Sequence, residues 1–227
     1  MQTVHLSNHY IDLQTPWIKW GAIGLFGILF CLTLWLAPTP YLVVVIVCLL
    51  LILFGLSYWL LRLSLVQFTL TATHLSQQVA KGGWVIKWSN VQSIGVCEYQ
   101  NAEGWCKPLP WIGIRLKHYE PYLESICPRL ASDILMSQRA LLYLGAKQNQ
   151  MGVQFEDIIL DALPYQASNG KQYSGLKAML ANRMRYQREF HGYDIYISTA
   201  DLDRDAEDFV GLARRYLAAA EPEPNNH

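Results

Sequence analysis

The chain has 227 residues with 18 basic and 18 acidic side chains, so its formal net charge is zero; 52% of it is hydrophobic and only 16% charged. Disordered chains need low hydrophobicity and high charge, which excludes that class, and the balanced charge gives no support to a globally basic nucleic-acid binder. The length accommodates one or two domains.

In chain order, residues 1–15 form a polar leader. From Trp20 to Leu61 there is no Asp, Glu, Lys, Arg or His, and Pro38-Thr39-Pro40 divides this stretch into runs of 18 and 21 residues. At about 1.5 Å per helical residue the runs span roughly 27 and 31 Å, against about 30 Å for the hydrocarbon core of a bilayer. Two such runs joined by three residues predict a transmembrane helical hairpin over 16–62, with spans at about 20–37 and 41–61. Thr15-Pro16 offers an N-cap followed by proline at the first helical position. Trp17, Trp20, Tyr58 and Trp59 mark one membrane interface, and Trp35 and Tyr41 the other. Lys19 and Arg62 share one side while the proline turn is uncharged, so the positive-inside rule puts both termini in the cytoplasm. A cleaved signal peptide is not expected, because no Lys or Arg precedes Lys19 and a second span follows at once. Gly21, Gly24 and Gly27 permit close approach, either of Gly55 and Ser57 on the second span or of a second copy. Neither span carries an ionisable group, the usual mark of an ion or proton pathway, which argues against a transporter or channel.

Residues 63–220 read as a cytoplasmic α+β domain, β-rich over 66–117 and helix-rich over 120–220, with a disordered tail at 221–227. Val66, Phe68 and Leu70 alternate with polar neighbours. Leu75–Val79, a Lys81-Gly82-Gly83 turn, Trp84–Trp88, Val91–Cys97 and Trp111–Leu116 complete about five short strands, as an antiparallel meander requires. Pro128 suits the start of a helix running to about Leu144 and closed by Gly145. Phe155–Leu160 fits strand or helix. Gly175–Phe190 is an amphipathic helix through Leu176, Met179, Leu180, Met184 and Phe190, and Tyr193, Ile195 and Ile197 alternate as one strand. Ser198 with Asp201 forms a capping-box-like pair before a last helix with Ala206, Phe209, Ala213, Tyr216 and Leu217 on one face.

Two adjacent spans followed by Phe68-Thr69-Leu70-Thr71, Gly82-Gly83-Trp84 and Trp88-Ser89-Asn90-Val91 resemble bacterial pleckstrin-homology-like membrane proteins, over about residues 66–117. Gly113-Ile114-Arg115-Leu116-Lys117 and Met179-Leu180-Ala181-Asn182-Arg183-Met184 carry a second resemblance across nearly the whole chain, to a family of uncharacterised proteobacterial two-span inner-membrane proteins. The first implies that the soluble part opens as a pleckstrin-like sheet. A simple domain of that kind ends in one helix, whereas this chain continues with about three helices and another strand. The second implies a bacterial inner-membrane location and brings no activity.

No pattern asks for a cofactor or a metal. Cys31, Cys48, Cys97, Cys106 and Cys127 lack C-x-x-C spacing, and a reducing cytoplasm favours free thiols. His5, His9, His74, His118 and His191 are scattered singly. Asp201, Asp203 and Asp205 start like a calcium loop, but Ala206 and Leu212 stand where that loop needs Gly and Glu. Acidic residues in the first turn of a helix account for the run. No nucleophile motif, nucleotide loop or paired carboxylate nominates a catalytic residue.

The most informative polar feature is a charge split. Residues 171–190 set Lys171, Lys177, Arg183, Arg185 and Arg188 against Glu189, a net of +4, whereas 194–208 set six acids against Arg204, a net of −5. Lys177, Arg183, Arg185 and Arg188 are therefore the candidate lipid- or partner-binding residues. In the competing arrangement the helix lies in the core with its cations paired to 201–208, and an unpaired Arg183 there would be costly. The expected function is that of a membrane-anchored, non-enzymatic interaction or scaffold protein. Its partners would be the bilayer, anionic lipid, a protein or a second copy. The alternative is a membrane-associated enzyme whose site is assembled from sequence-distant residues.

Overall fold

A computed structural model describes residues 2–8, 16–36, 39–100, 106–148 and 155–220. The Thr15 cap and the 221–227 tail lie outside the described residues. The chain divides into two units, one of residues 9–65 and the other of residues 1–8 together with 66–227.

The first unit holds helices α1 (Pro16–Leu36) and α2 (Pro40–Leu63). Pro40 follows Thr39, whose extended backbone (φ −137°) serves as N-cap, and the Ser64 N–H closes the other end on the Leu60 carbonyl at 3.1 Å. Among the described residues one helix, Pro40–Leu63, is long and apolar enough to cross a membrane, with a mean hydropathy of 2.8; Ile23–Trp35 is a shorter apolar stretch. Among the described residues one helix is thus shown to be both long and apolar enough, and the expected two-span hairpin is not shown. Phe26 and Phe54 meet edge to face at 5.6 Å between ring centres. A Cβ at Gly21, Gly24, Gly27 or Gly55 would meet nothing within 4 Å, so these glycines do not mediate the contact between the helices. Gly24 and Gly27 instead line an open groove with Ile28, Cys31, Leu32 and Trp35.

The second unit is α+β with antiparallel sheets. Strands β1 (Val4–Ser7), β2 (Val66–Leu70), β3 (His74–Val79) and β4 (Gly82–Lys87) form one sheet in that order. Strand β1 comes from the leader, where no strand was expected, and pairs with β2 from Val4↔Leu70 to Ser7↔Gln67. Asn8 Oδ1 accepts the Val66 N–H at 3.1 Å, and the Tyr216 hydroxyl donates to the Gln2 carbonyl at 2.5 Å. Only Leu6 of this strand is buried, so four residues give too weak a period-two signal to read from the sequence alone.

A second sheet takes β5 (Val91–Gln100), β6 (Cys106–Leu116) and β9 (Ile195–Ser198), in the order β5-β6-β9. Between β6 and β9 lie α3 (Glu120–Ser125), α4 (Pro128–Ser137), α5 (Arg139–Gln148), α6 (Phe155–Ile159), the short pair β7 (Tyr165–Gln166) and β8 (Gln172–Tyr173), and α7 (Leu176–His191). The chain ends in α8 (Ala206–Ala219). Phe68, Leu70, Trp84, Ile112 and Ile114 from the two sheets, with Trp88 just after β4, share one core with Phe209, Ala213 and Tyr216 of α8. Phe209 meets Phe68 edge to face at 5.9 Å, and Tyr216 stacks on Trp88 at 6.0 Å. The indoles are not left unpaired: Trp84 Nε1 donates to Gln77 Oε1 at 2.7 Å and Trp88 Nε1 to the Thr71 carbonyl at 2.8 Å.

The single helix expected from Pro128 to Gly145 is two. It breaks at Gln138, whose buried amide donates to the Tyr196 carbonyl at 3.3 Å and accepts from Gln187 Nε2 at 3.2 Å. Gly145 is not a cap but sits inside α5, where a Cβ would fall 2.6 Å from Cβ and Cδ2 of Phe190. The ambiguous segment at 155–160 is helical over Phe155–Ile159. Ser198 caps a 3₁₀ turn at Thr199–Asp201, accepting the Ala200 N–H at 3.3 Å, while α8 begins later, after Asp205, with Glu207 and Asp208 in its first turn.

Candidate interaction surface around helix α7

Helix α7 starts after Gly175 and stops at Gly192, whose φ of +80° suits glycine and lets its N–H close on the Arg188 carbonyl at 2.9 Å. Ala178, Leu180, Ala181 and Met184 face the core, yet Asn182, Arg183 and Gln187 are buried as well. A polar side chain is tolerated there only when bonded. The four candidate cations on this helix therefore meet different fates.

Arg183 is 2% exposed and pairs with no carboxylate among the described residues. Its Nη2 donates to the Ile159 carbonyl at 2.5 Å and its Nη1 lies 3.5 Å from the Leu135 carbonyl, while Nε has no partner among the described residues. Those carbonyls belong to the last residue of α6 and the last turn of α4. Helix C-termini leave carbonyls unbonded and carry partial negative charge, so one guanidinium ties two helix ends together. Burial, with Arg139 nearby, pushes Arg183 down to about 10. Such a side chain is not available to a lipid surface.

Arg188 grips Asp194 with two nitrogens, Nε at 2.6 Å and Nη2, and Nη2 also donates to the Leu116 carbonyl at 2.7 Å. Asp194 further accepts the Leu116 N–H at 2.7 Å and the Tyr119 hydroxyl at 2.8 Å. Four donors fill its acceptor sites, which makes it a joint between β6, α3 and α7 and leaves no lone pair for proton transfer. The Arg188 guanidinium lies 4.8 Å from the Tyr119 ring centre. Burial and the Asp194 charge push the Tyr119 hydroxyl well above its ordinary range, and the bond to Asp194 holds Arg188 above its own.

Among the described residues no ion pair joins the acidic segment 201–208 to these cations. Arg204 pairs with its neighbour Asp203 at 2.9 Å, whereas Arg188 meets Asp194 and Arg185 meets Asp161. Lys177 is half-buried and, after Lys171, helps hold Glu124 below the usual carboxylate range. Arg185 is the most outward of the four. Its side chain is 56% exposed, 5.1 Å from the Tyr186 ring centre and 3.8 Å from Asp161.

Asp161 lies in a loop that α7 holds firmly. Its Oδ2 accepts the Tyr186 hydroxyl at 2.9 Å and its Oδ1 accepts the Leu163 N–H at 3.0 Å. Asn182 Nδ2 donates to the carbonyls of Asp161 and Leu163 at 3.3 and 2.9 Å. Leu160 and Leu163 flank these anchors and are 57% and 70% exposed. The sequence offered little to single them out, since two leucines in a loop before Pro164 have no helical or strand period.

Other groups suit packing rather than chemistry. Burial pushes the Cys97 thiol up to about 12, so it is not a thiolate near neutral pH. Among the described residues no three His, Cys, Asp or Glu side chains gather as metal ligands, and all five cysteines are free.

Residues 68–219 match a family described as Protein of unknown function (DUF2982). The chain belongs to that family. The match starts inside β2 and ends on the last residue of α8, so it takes in β3 to β9 and α3 to α8 but not β1, α1 or α2. No curated protein and no solved structure matches the chain.

Proposed function

We propose that this DUF2982 protein is a membrane-anchored binding protein of the bacterial inner membrane: α1 and α2 cross the bilayer as a hairpin, both termini lie in the cytoplasm, and the α+β unit recognises a protein or lipid surface without turnover. The observation that carries the proposal is the pairing of β1 with β2. The chain leaves the sheet at Ser7, runs through both helices, and returns at Val66 to the neighbouring strand. Strands on opposite sides of a bilayer cannot pair, so the segment between them crosses an even number of times. At about 1.5 Å per residue, 21 and 24 residues give helices of roughly 31 and 36 Å, enough for one crossing each with some tilt. Lys19 and Arg62 flank the pair on the side of the termini.

A pleckstrin-like reading of the α+β unit draws support from its layout. Four antiparallel strands, then three, enclose one core beneath a C-terminal helix, and the extra helices are an insertion between β6 and β9. The filled carboxylate of Asp194 and the buried thiol of Cys97 favour recognition over catalysis. Reporter fusions to residue 1 and residue 227 test the topology. Both are expected to behave as cytoplasmic, and a periplasmic signal at either end refutes the hairpin.

A further inference from the structure

On the second sheet Gly95 faces Gly113 across β5 and β6, and Ser93 faces Arg115 one pair further on. Ile94, Ile114 and Leu116 point into the core, so Ser93, Gly95, Gly113 and Arg115 share the opposite face. A Cβ at Gly113 would collide with the Tyr193 ring, and one at Gly95 with the Tyr193 hydroxyl. The two glycines thus make a trough in which Tyr193 lies across both strands, with its hydroxyl over β5.

Two arginines converge on that hydroxyl. Arg214 reaches over the β5 backbone from α8: its Nε donates to the Ile94 carbonyl at 3.0 Å, and its Nη2 lies 3.6 Å from the place of a Gly95 Cβ. Arg115 stands about 6.6 Å along β6 from Gly113, on the same face. Its Nε is buried without a hydrogen-bond partner, which leaves the two terminal nitrogens to meet a ligand. Elsewhere in this unit cations find carboxylates: Lys81 has Asp133, Lys171 has Glu124, and Arg188 has Asp194. Among the described residues no carboxylate pairs with Arg115 or Arg214.

Burial raises the Tyr193 hydroxyl above its ordinary range, the Arg214 charge lowers it, and the Glu98 carboxylate acts on it as well. It therefore stays protonated near neutral pH and can donate. Lys117, two residues on from Arg115, is exposed, with its Nζ donating to the Ser89 carbonyl at 2.7 Å. Three cations against Glu98 make this face attractive to a compact anion.

We propose that Arg115, Arg214 and the Tyr193 hydroxyl bind a dianionic phosphoryl group, either free phosphate or the monoester of a soluble small molecule. Two guanidinium forks match its charge and its several acceptor oxygens, whereas a single carboxylate would leave one fork unused. Glu98 opposes an extended polyanion, so the ligand carries one such group. The proposal does not depend on how α1 and α2 are anchored.

The purified full chain, in an uncharged detergent, is titrated into phenyl phosphate or inorganic phosphate, and ³¹P line broadening reads binding. Broadening of phenyl phosphate is expected at neutral pH and should fade as the pH falls through about 6, where a monoester becomes a monoanion. Inorganic phosphate binding as tightly as the monoester assigns the site to free phosphate; tighter binding of the monoester assigns it to a phosphorylated small molecule. Arg115→Gln and Arg214→Gln should each weaken binding by about tenfold or more. Tyr193→Phe keeps the ring in its trough and should weaken binding by about fivefold at an unchanged melting temperature. Arg129→Gln, at an exposed cation of α4, should leave the affinity as it is. No broadening of either ligand overturns the site, as does displacement by equimolar acetate. Full affinity in Tyr193→Phe, or a loss in Arg129→Gln equal to that in Arg214→Gln, overturns it too.

Discussion

Replacing Gly145 with alanine sets two effects of opposite sign against each other. Alanine is favoured over glycine inside a helix by about 0.8–1 kcal/mol, so propensity alone predicts a more stable protein. The added Cβ, however, would lie 2.6 Å from both Cβ and Cδ2 of Phe190 and 2.8 Å from its Cγ. Real Cβ contacts do not fall below about 3.0 Å, and the crowded atoms are the root of the phenylalanine rather than its tip, so rotation about χ2 cannot relieve them. Overpacking of this kind costs about 1–3 kcal/mol, which outweighs the propensity gain. The expected net loss is about 1 kcal/mol, or roughly 2–4 °C in melting temperature for a chain of this size. In a Phe190→Ala background the obstacle is gone, and Gly145→Ala should become stabilising by about 1 kcal/mol. Thermal unfolding of the four proteins in detergent, followed by tryptophan fluorescence, gives the coupling between the sites, expected at about 2 kcal/mol. A stabilising Gly145→Ala in the wild-type background, or the same loss with and without Phe190, refutes the packing of α5 on α7 described here.

Two further outcomes follow from α7 and the aromatic core. Asp194 is fully buried and holds four hydrogen bonds, so Asp194→Asn should cost about 3–5 kcal/mol, whereas Arg185→Ala, at an exposed pair, should cost less than about 1 kcal/mol; denaturant midpoints of both variants check the order. Tyr119, Tyr122 and Tyr196 have hydroxyls raised by burial above their ordinary value of 10.0. Above pH 10 the unfolded chain therefore loses these protons first and the folded chain binds more. Stability present below pH 10 should then fall by up to about 1.4 kcal/mol per pH unit for each tyrosine, and a flat profile between pH 10 and 11.5 in denaturant titrations contradicts their burial.

Strands β2 to β6 overlap the segments where alternation placed them, with β5 running on to Gln100 and β6 starting earlier, at Cys106. The break at Gln138 escaped that reading. An apolar stripe runs through Leu130, Ile134, Leu141 and Leu144, and the break depends on Tyr196 and Gln187, far away in sequence. Helix α7 is plain as an amphipathic helix, yet its charges were legible only as a sum. Whether a cation points at lipid, at a carboxylate or at a helix end depends on which segments fold against it. For Arg183 the partners are two backbone carbonyls, which carry no signature in the sequence.

The amino-acid sequence by itself determined the uncharged stretch from Trp20 to Leu61, the change from two-residue to helical periodicity, and the balance of +4 against −5. These are local quantities, set by composition and by spacing within a few turns. Tertiary structure alone decided that the leader supplies an edge strand to β2, that Arg183 ties α4 to α6, and that Leu160 and Leu163 are left facing outward. Each joins groups that are distant along the chain, and a backbone donor or acceptor offers the same chemistry at every position. Only the packing of the whole domain selects which of them meet.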